Sequence, residues 1–520
     1  MVDSITDGFE DAPPDPCVAR TIYVGTQGVN TVRLMHEAHD PTVRFLENKP
    51  TMRLGNAVRY LVNGTDTFRH YVEEIRACTG EGHYIYVMGW QLQIELELIP
   101  GDASSTMRAL LSAAAANGVQ VRALLWRNTI MSKKPGASTY TVPGASFSIP
   151  HTIYGQIFDA GNPWNLDEVR EINGFTGDSC GIVDSRVPIA GSHHQKALIV
   201  NSPKGLVAML GGIDIFENRF KQLYDVHCKI RGPSAFEVLR TFVERWKDHP
   251  DHASAEQQFA DGKPLLGEST KVPPANGACT VQPARTYPTA PVYGFAPTGK
   301  IEAWLQLKAA IQRASKFIYM ENQYFVSRDL AHELAAALPR LSHLTILLQV
   351  WSDMKGGLAR TRRCLDILKA APGSAEKLRV FCLPAQYVHT KTWIFDDELA
   401  IIGSANASRR SFTCDTELVA GITDHSNENK PAWRFARRLR ARLWGHLLDM
   451  ETPEGYAELA DGVASAVHWL DPPATAKISA FEPMLASMLA RANPKDSYLE
   501  QTGDFVWDNA IDPFTGQIGP

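Results

Sequence analysis

Residues 388–417 read VHTKTWIFDDELAIIGSANASRRSFTCDTE, and this stretch decides how the rest of the chain is understood. Side chains alternate along a strand, so His389 and Lys391 project from one face while Thr390 points the other way. A turn and a second apolar run follow, closing on Gly403-Ser404-Ala405-Asn406. The pattern occurs twice. Residues 191–225 read GSHHQKALIVNSPKGLVAMLGGIDIFENRFKQLYD, with His194 and Lys196 in the same relation and a close on Gly211-Gly212-Ile213-Asp214. Eleven residues separate Asn406 from Glu417, and eleven separate Asp214 from Asp225. His389 to Asn406 is seventeen residues and His194 to Asp214 is twenty. The three extra residues are expected in the hairpin turn Asn201-Ser202-Pro203-Lys204-Gly205.

Working outward, the chain repeats its order of elements on either side of residue 277. In the first half a helix is expected from Asn63, capped by Asp66, then a strand over 83–88, a helix over 107–116 and a strand over 119–126. In the second, helix 301–314 precedes strand 317–319, helix 330–338 and strand 345–351. Each half then reaches its His-Lys motif and ends on a long helix, 233–249 and 433–448. Alternating strands and helices indicate an α/β fold, and the repetition indicates two such units. The expected divisions are an irregular lead-in (1–55), a first lobe (56–250), a linker (251–277), a second lobe (278–450) and a C-terminal extension (451–520). Residues 127–190, rich in Gly, Pro and aromatics, are expected to form an insertion over the substrate.

Composition bounds the function classes. Fifty-two Lys and Arg against 57 Asp and Glu give a net charge of −5 in 520 residues, which argues against a dedicated nucleic-acid binder. The eight cysteines contain no C-x-x-C pair, so reduced thiols are expected rather than a disulfide framework. Residues 1–16 are acidic and Pro-rich, without the apolar core of a signal peptide. No apolar run reaches the length of a membrane span. A cytoplasmic or peripheral membrane protein is expected, with leaderless export left open.

Two His, two Lys, an amide and paired carboxylates restrict the chemistry. A Lys beside each His is a poor neighbour for a metal ion, so no metal or cofactor is expected. Acyl transfer has no need of the duplicated Lys. A phosphodiester does, because Lys196 and Lys391, with Ser404 and Asn406, can cradle its charged oxygens; Gly212 and Asp214, at the matching close of the first copy, are further candidate substrate-binding residues. One imidazole then attacks phosphorus while the other protonates the leaving oxygen. Asp225 and Glu417 are placed to fix the ring tautomers.

The run His389-x-Lys391-x4-Asp396-x6-Gly403-Ser404-x-Asn406 resembles the signature of the phospholipase D superfamily, and His194-x-Lys196 with Gly211-Gly212-x-Asp214 looks like its partner in two-motif members. Glu321-Asn322-Gln323-Tyr324-Phe325 and Val281-Gln282 to Arg285-Thr286 add to the likeness, which covers residues 56–450. The resemblance implies two α/β lobes with mixed sheets, one shared active site and a phosphohistidine formed without an obligatory metal. It also implies that His194 is the nucleophile and His389 the general acid. Asn201 stands where the first motif would carry its Asp. The expected activity is hydrolysis of glycerophospholipids to phosphatidic acid at a membrane surface, with headgroup exchange when an alcohol replaces water. A phosphatidylserine or cardiolipin synthase, a nuclease and an antibacterial phospholipase toxin are the alternatives. His193, Trp126 and Trp351 are read as core, Asp396 and Asp397 as turn and salt-bridge residues, and Arg360 to Arg363 as a solvated helix face.

Overall fold

The computed structural model describes residues 44–47, 49–127, 139–141, 148–150, 164–188, 191–217, 222–350, 357–424 and 434–491. Most of the lead-in, half of the expected insertion, Trp351 and the C-terminal end lie outside the described residues, and the described part of 127–190 supplies helix Trp164–Asn173 and the sheet strand Ser179–Asp184. One sixteen-stranded mixed sheet runs through both halves. In the first half, strands Ser179–Asp184, Gln120–Trp126 and Tyr84–Gly89 are parallel neighbours. Ala197–Ser202, Gly205–Gly211 and Val226–Arg231 follow, each antiparallel to the strand before it. The second half repeats this order with Leu378–Cys382, His343–Leu348 and Phe317–Asn322 in parallel, then Lys391–Phe395, Leu399–Gly403 and Glu417–Asp424. The α/β repeat read from the sequence is the architecture observed.

Two strands that the sequence pattern does not announce join the halves. Arg53–Val62 pairs with Val226–Arg231 on one side and, through Arg53↔Val281 and Asn56↔Cys279, with Cys279–Tyr287 on the other. Arg53–Val62 is only half buried along its length, which blurs the alternation that would reveal it. Residues 251–277, expected as a linker, form the helix His252–Phe259 and pack back on the first half. Trp246 Nε1 donates to Glu256 there, and the Gly267 amide donates to the Tyr86 hydroxyl.

Alternation sorts each strand's side chains between cores. Tyr84, Tyr86 and Met88 face a central core shared by both halves, as do Phe317 and Tyr319. Ile85 and Val87 face an outer core under helices Asn63–Arg76 and Met107–Ala116. Ile318 and Met320 face the corresponding outer core of the second half. Helices Pro233–Asp248 and Phe435–Leu448 fill the centre with Phe242, Trp246 and Trp444. Seven cysteines are free and buried among the described residues, and no described helix is long and apolar enough to cross a membrane.

Several local expectations change. Asp66 makes no cap at the first helix, and its carboxylate instead accepts from the Val62 amide. The three extra residues of the first motif do not enlarge its turn. Ser202 pairs directly with Gly205, so each strand is two residues longer than in the second motif and the turn one residue shorter. Arg360 is buried and only Arg362 and Arg363 face solvent, because helix Gly357–Lys369 turns its 360–361–364–365 face to the core.

Candidate active site

The motif histidines precede the strands expected to carry them, which begin at Ala197 and Lys391. The reason is that each motif first docks on the opposite half. Tyr387 and Val388 form a parallel ladder with Leu223 and Tyr224, and the His389 amide donates to the Tyr224 carbonyl at 2.9 Å. His193 bridges Thr416, and the His194 amide donates to the Thr416 carbonyl at 2.9 Å. Each chain segment therefore crosses the junction just before its Lys enters the home sheet.

This crossing exchanges the acid partners. His389 Nδ1 lies 2.6 Å from Asp225 Oδ2, a carboxylate of the first half. His194 Nδ1 lies 3.0 Å from both oxygens of Glu417, a carboxylate of the second. A carboxylate at Nδ1 fixes the tautomer that presents Nε2 for chemistry. The two histidines retain 13 % and 8 % side-chain exposure, whereas their acids are sealed from solvent.

Each acid is itself seated. Ser404 Oγ donates to Glu417 Oε2 and in turn accepts from the Leu418 amide at 3.0 Å. Ser404 thus stands behind Glu417. Asp225 has its amide bonded to Asn63 Oδ1, and its Oδ1 accepts from the Val226 amide at 2.8 Å. Asn63 takes a left-handed conformation (φ 66°) to reach it, a geometry for which Asn is suited. Gly212 has a steric task, since a Cβ there would lie 2.2 Å from Asp225 Oδ1. Sequence reasoning placed Gly212 and Ser404 at the substrate, and it missed Asn63 as a support.

The two lysines differ in their surroundings. Lys196 Nζ pairs with Asp214 Oδ2 at 3.2 Å, and Asp214 Oδ1 also accepts from the Trp90 and Gln91 amides. Lys391 Nζ donates instead to the neutral Gln323 Oε1 at 2.8 Å and to the His389 carbonyl. Asn406 is buried, with its Oδ1 lacking a hydrogen-bond partner. Burial, together with Lys196 and Lys391, holds His194 well below the ordinary imidazole range. Burial pushes the Glu417 carboxyl up to about 7, against the hydrogen bond from Ser404. His194 at neutral pH is accordingly an uncharged imidazole with a lone pair at Nε2.

His193 is held in the core as expected, Nδ1 against Thr416 Oγ1 at 3.0 Å and Nε2 3.1 Å from Asp184. Asp396 accepts from the amides of Ser315, Lys316 and Phe317, and Asp397 pairs with Arg440. Trp126 is buried and stacks on Trp90 at 5.4 Å between centroids.

A family model described as "Phospholipase D" matches residues 77–224, and one described as "Cardiolipin synthase, PLD-like domain" matches residues 307–442. Each match contains one His-Lys pair, and together they span more than half of the chain. The protein belongs to the phospholipase D superfamily. Among its relatives within that superfamily, phospholipase D alpha 1 of Vigna unguiculata is 24% identical over 84% of this chain and 70% of its own length. Phospholipase D alpha 1 of Ricinus communis is also 24% identical, over 84% of this chain and 69% of its own length. A crystal structure of phosphatidylserine synthase from Haemophilus influenzae Rd KW20 aligns with 71% of this chain and 83% of its own, at 14% identity and a TM-score of 0.47.

Proposed function

We propose that this protein is a phospholipase D-type phosphodiesterase that cleaves the headgroup-side P–O bond of glycerophospholipids. The observation that carries the reading is the exchange of acids: two imidazoles at one junction, each oriented through Nδ1 by a carboxylate of the opposite half. His194 Nε2 attacks phosphorus, and the headgroup oxygen leaves with a proton from His389, giving phosphatidyl-His194. Water, deprotonated by His389, then attacks phosphorus; the P–N bond breaks and phosphatidic acid departs. Lys196 and Lys391 neutralise the non-bridging oxygens as charge develops on them. Asn406 supplies an amide to the same group. The relatives' names as phospholipases D support a phospholipid substrate, reached from the membrane surface.

Transfer to an alcohol is the second reading, favoured by the match of residues 307–442 to a cardiolipin synthase description. Both follow from one intermediate. The test is purified protein with chelator, offered vesicles of phosphatidylcholine, phosphatidylethanolamine or phosphatidylglycerol, or single-stranded DNA, with and without added glycerol. Release of headgroup and phosphatidic acid is expected, along with a glycerol-dependent exchange product. His194→Asn and His389→Asn should each fall below a tenth of wild-type turnover, since positioned acid–base groups contribute roughly 10²–10⁴-fold. Cleavage of DNA alone, or retention of more than a tenth of activity by either variant, overturns the proposal.

A further inference from the structure

The two halves differ at one buried position in a way that points beyond the residues already placed. Met88 pairs with Ala197 and Glu321 with Thr392, each partner being the residue after a motif Lys. The two are therefore equivalent in the repeat, and both project toward the central core. The first half fills that position with an apolar side chain. The second fills it with a carboxyl group that has no exposure to solvent. Burying a carboxyl where its counterpart is methionine is costly, and a fold that tolerates Met there does not require it.

Its contacts lead to His389. Glu321 Oε1 accepts from the Tyr319 hydroxyl at 2.6 Å and the Tyr224 hydroxyl at 3.0 Å. Tyr224 is the residue whose carbonyl receives the amides of both His389 and Thr390, at 2.9 and 3.2 Å. Its neighbour Asp225 holds the His389 ring. From the same strand end, Gln323 holds Lys391. We infer that Glu321 is a positioning residue: its carboxyl anchors Tyr224 of the first half to the second, and so fixes the seat on which His389 and Asp225 meet.

The protonation state fits an uncharged acceptor. Burial pushes Glu321 up to about 8, with Asp225 adding to the rise. Arg440 lies on the Tyr319 side and Arg442 on the Tyr224 side of the network. The His446 ring stacks on Tyr224 at 5.8 Å. At neutral pH the carboxyl is mostly protonated and places little extra charge beside Asp225. Gln, which keeps a neutral carbonyl acceptor, should replace it; Met should not.

This inference rests on the diesterase reading, and wild-type cleavage of phosphatidylcholine vesicles tests that reading separately. The variants are then compared with wild type on the same vesicles. Glu321→Met is expected to fold, as the first half shows for Met in this setting, and to lose roughly ten- to a hundredfold in kcat with KM within twofold, the scale of a misplaced reacting group. Glu321→Gln should retain at least half of wild-type kcat. Tyr224→Phe, which removes the anchored hydroxyl alone, should fall with Glu321→Met. Wild-type kcat in folded Glu321→Met, or a Glu321→Gln enzyme as slow as Glu321→Met, overturns the inference. Should Glu321→Met fail to fold, an unchanged kcat for Tyr224→Phe overturns it instead.

Discussion

Replacing Gly212 with alanine adds one methyl group, and the structure specifies what it strikes. The new Cβ would lie 2.2 Å from Asp225 Oδ1 and 2.9 Å from its Cγ, where carbon and oxygen normally stand about 3.2 Å or more apart. The carboxylate must retreat by about 1 Å. Its Oδ2 begins 2.6 Å from His389 Nδ1, so the pair would open to about 3.6 Å, beyond a hydrogen bond. Asp225 cannot swing freely, because its Oδ1 is tied to the Val226 amide and its own amide to Asn63. Overpacking of this kind costs about 1–3 kcal/mol of stability. The loss of His389 orientation should lower kcat about 10²-fold. The assay is headgroup release from phosphatidylcholine vesicles with thermal unfolding measured in parallel. A folded Gly212→Ala protein with more than a tenth of wild-type kcat would refute the steric account.

Other consequences concern the opposite acid and the junction. Ser404→Ala removes the hydroxyl that opposes the rise of Glu417, so the carboxyl should climb above about 7 and stay protonated to higher pH. The acid limb of kcat/KM should therefore move upward, with a larger loss at pH 6 than at pH 8.5; an unmoved limb would separate Glu417 from His194 orientation. Asp415 accepts from the Ser192 amide at 2.7 Å and from Arg410 through both oxygens. Asp415→Ala takes away the acceptor of the buried Ser192 amide and one partner of Arg410, which should cost about 1–3 kcal/mol in urea unfolding. A change below about 0.5 kcal/mol would show the contact to be dispensable.

The sequence exposes equivalence well and contact poorly. Matched spacing identifies His194 with His389 and Asp225 with Glu417, because an internal repeat preserves offsets along the chain. It does not tell which copy touches which. That pairing depends on Tyr387-Val388 and His193 docking across the junction, an event between residues well over a hundred positions apart. The α/β alternation was legible because strands such as Leu399–Gly403 are apolar and buried throughout. Arg53–Val62 escaped notice because its burial does not follow polarity, with Leu54 exposed and Asn56 buried. Gly212 and Ser404 stand out in the sequence, but a residue packed against an orienting carboxylate and one beside a substrate leave the same trace there. Glu321 stands out in the sequence only as part of the run 321–325, and its tie to Tyr224 appears only in three dimensions.

The crossing of acids also governs when the molecule becomes chemically competent. His194 emerges in synthesis more than two hundred residues ahead of Glu417, the group that orients it. A nascent chain that has reached only the first motif has no Glu417 carboxylate to select the reactive nitrogen of that ring. His389 arrives with Asp225 already made, but its home strand closes only when Leu399–Gly403 and Glu417–Asp424 pair. Under the proposed mechanism the ribosome-bound intermediate is silent toward phosphodiesters until Glu417 has been translated.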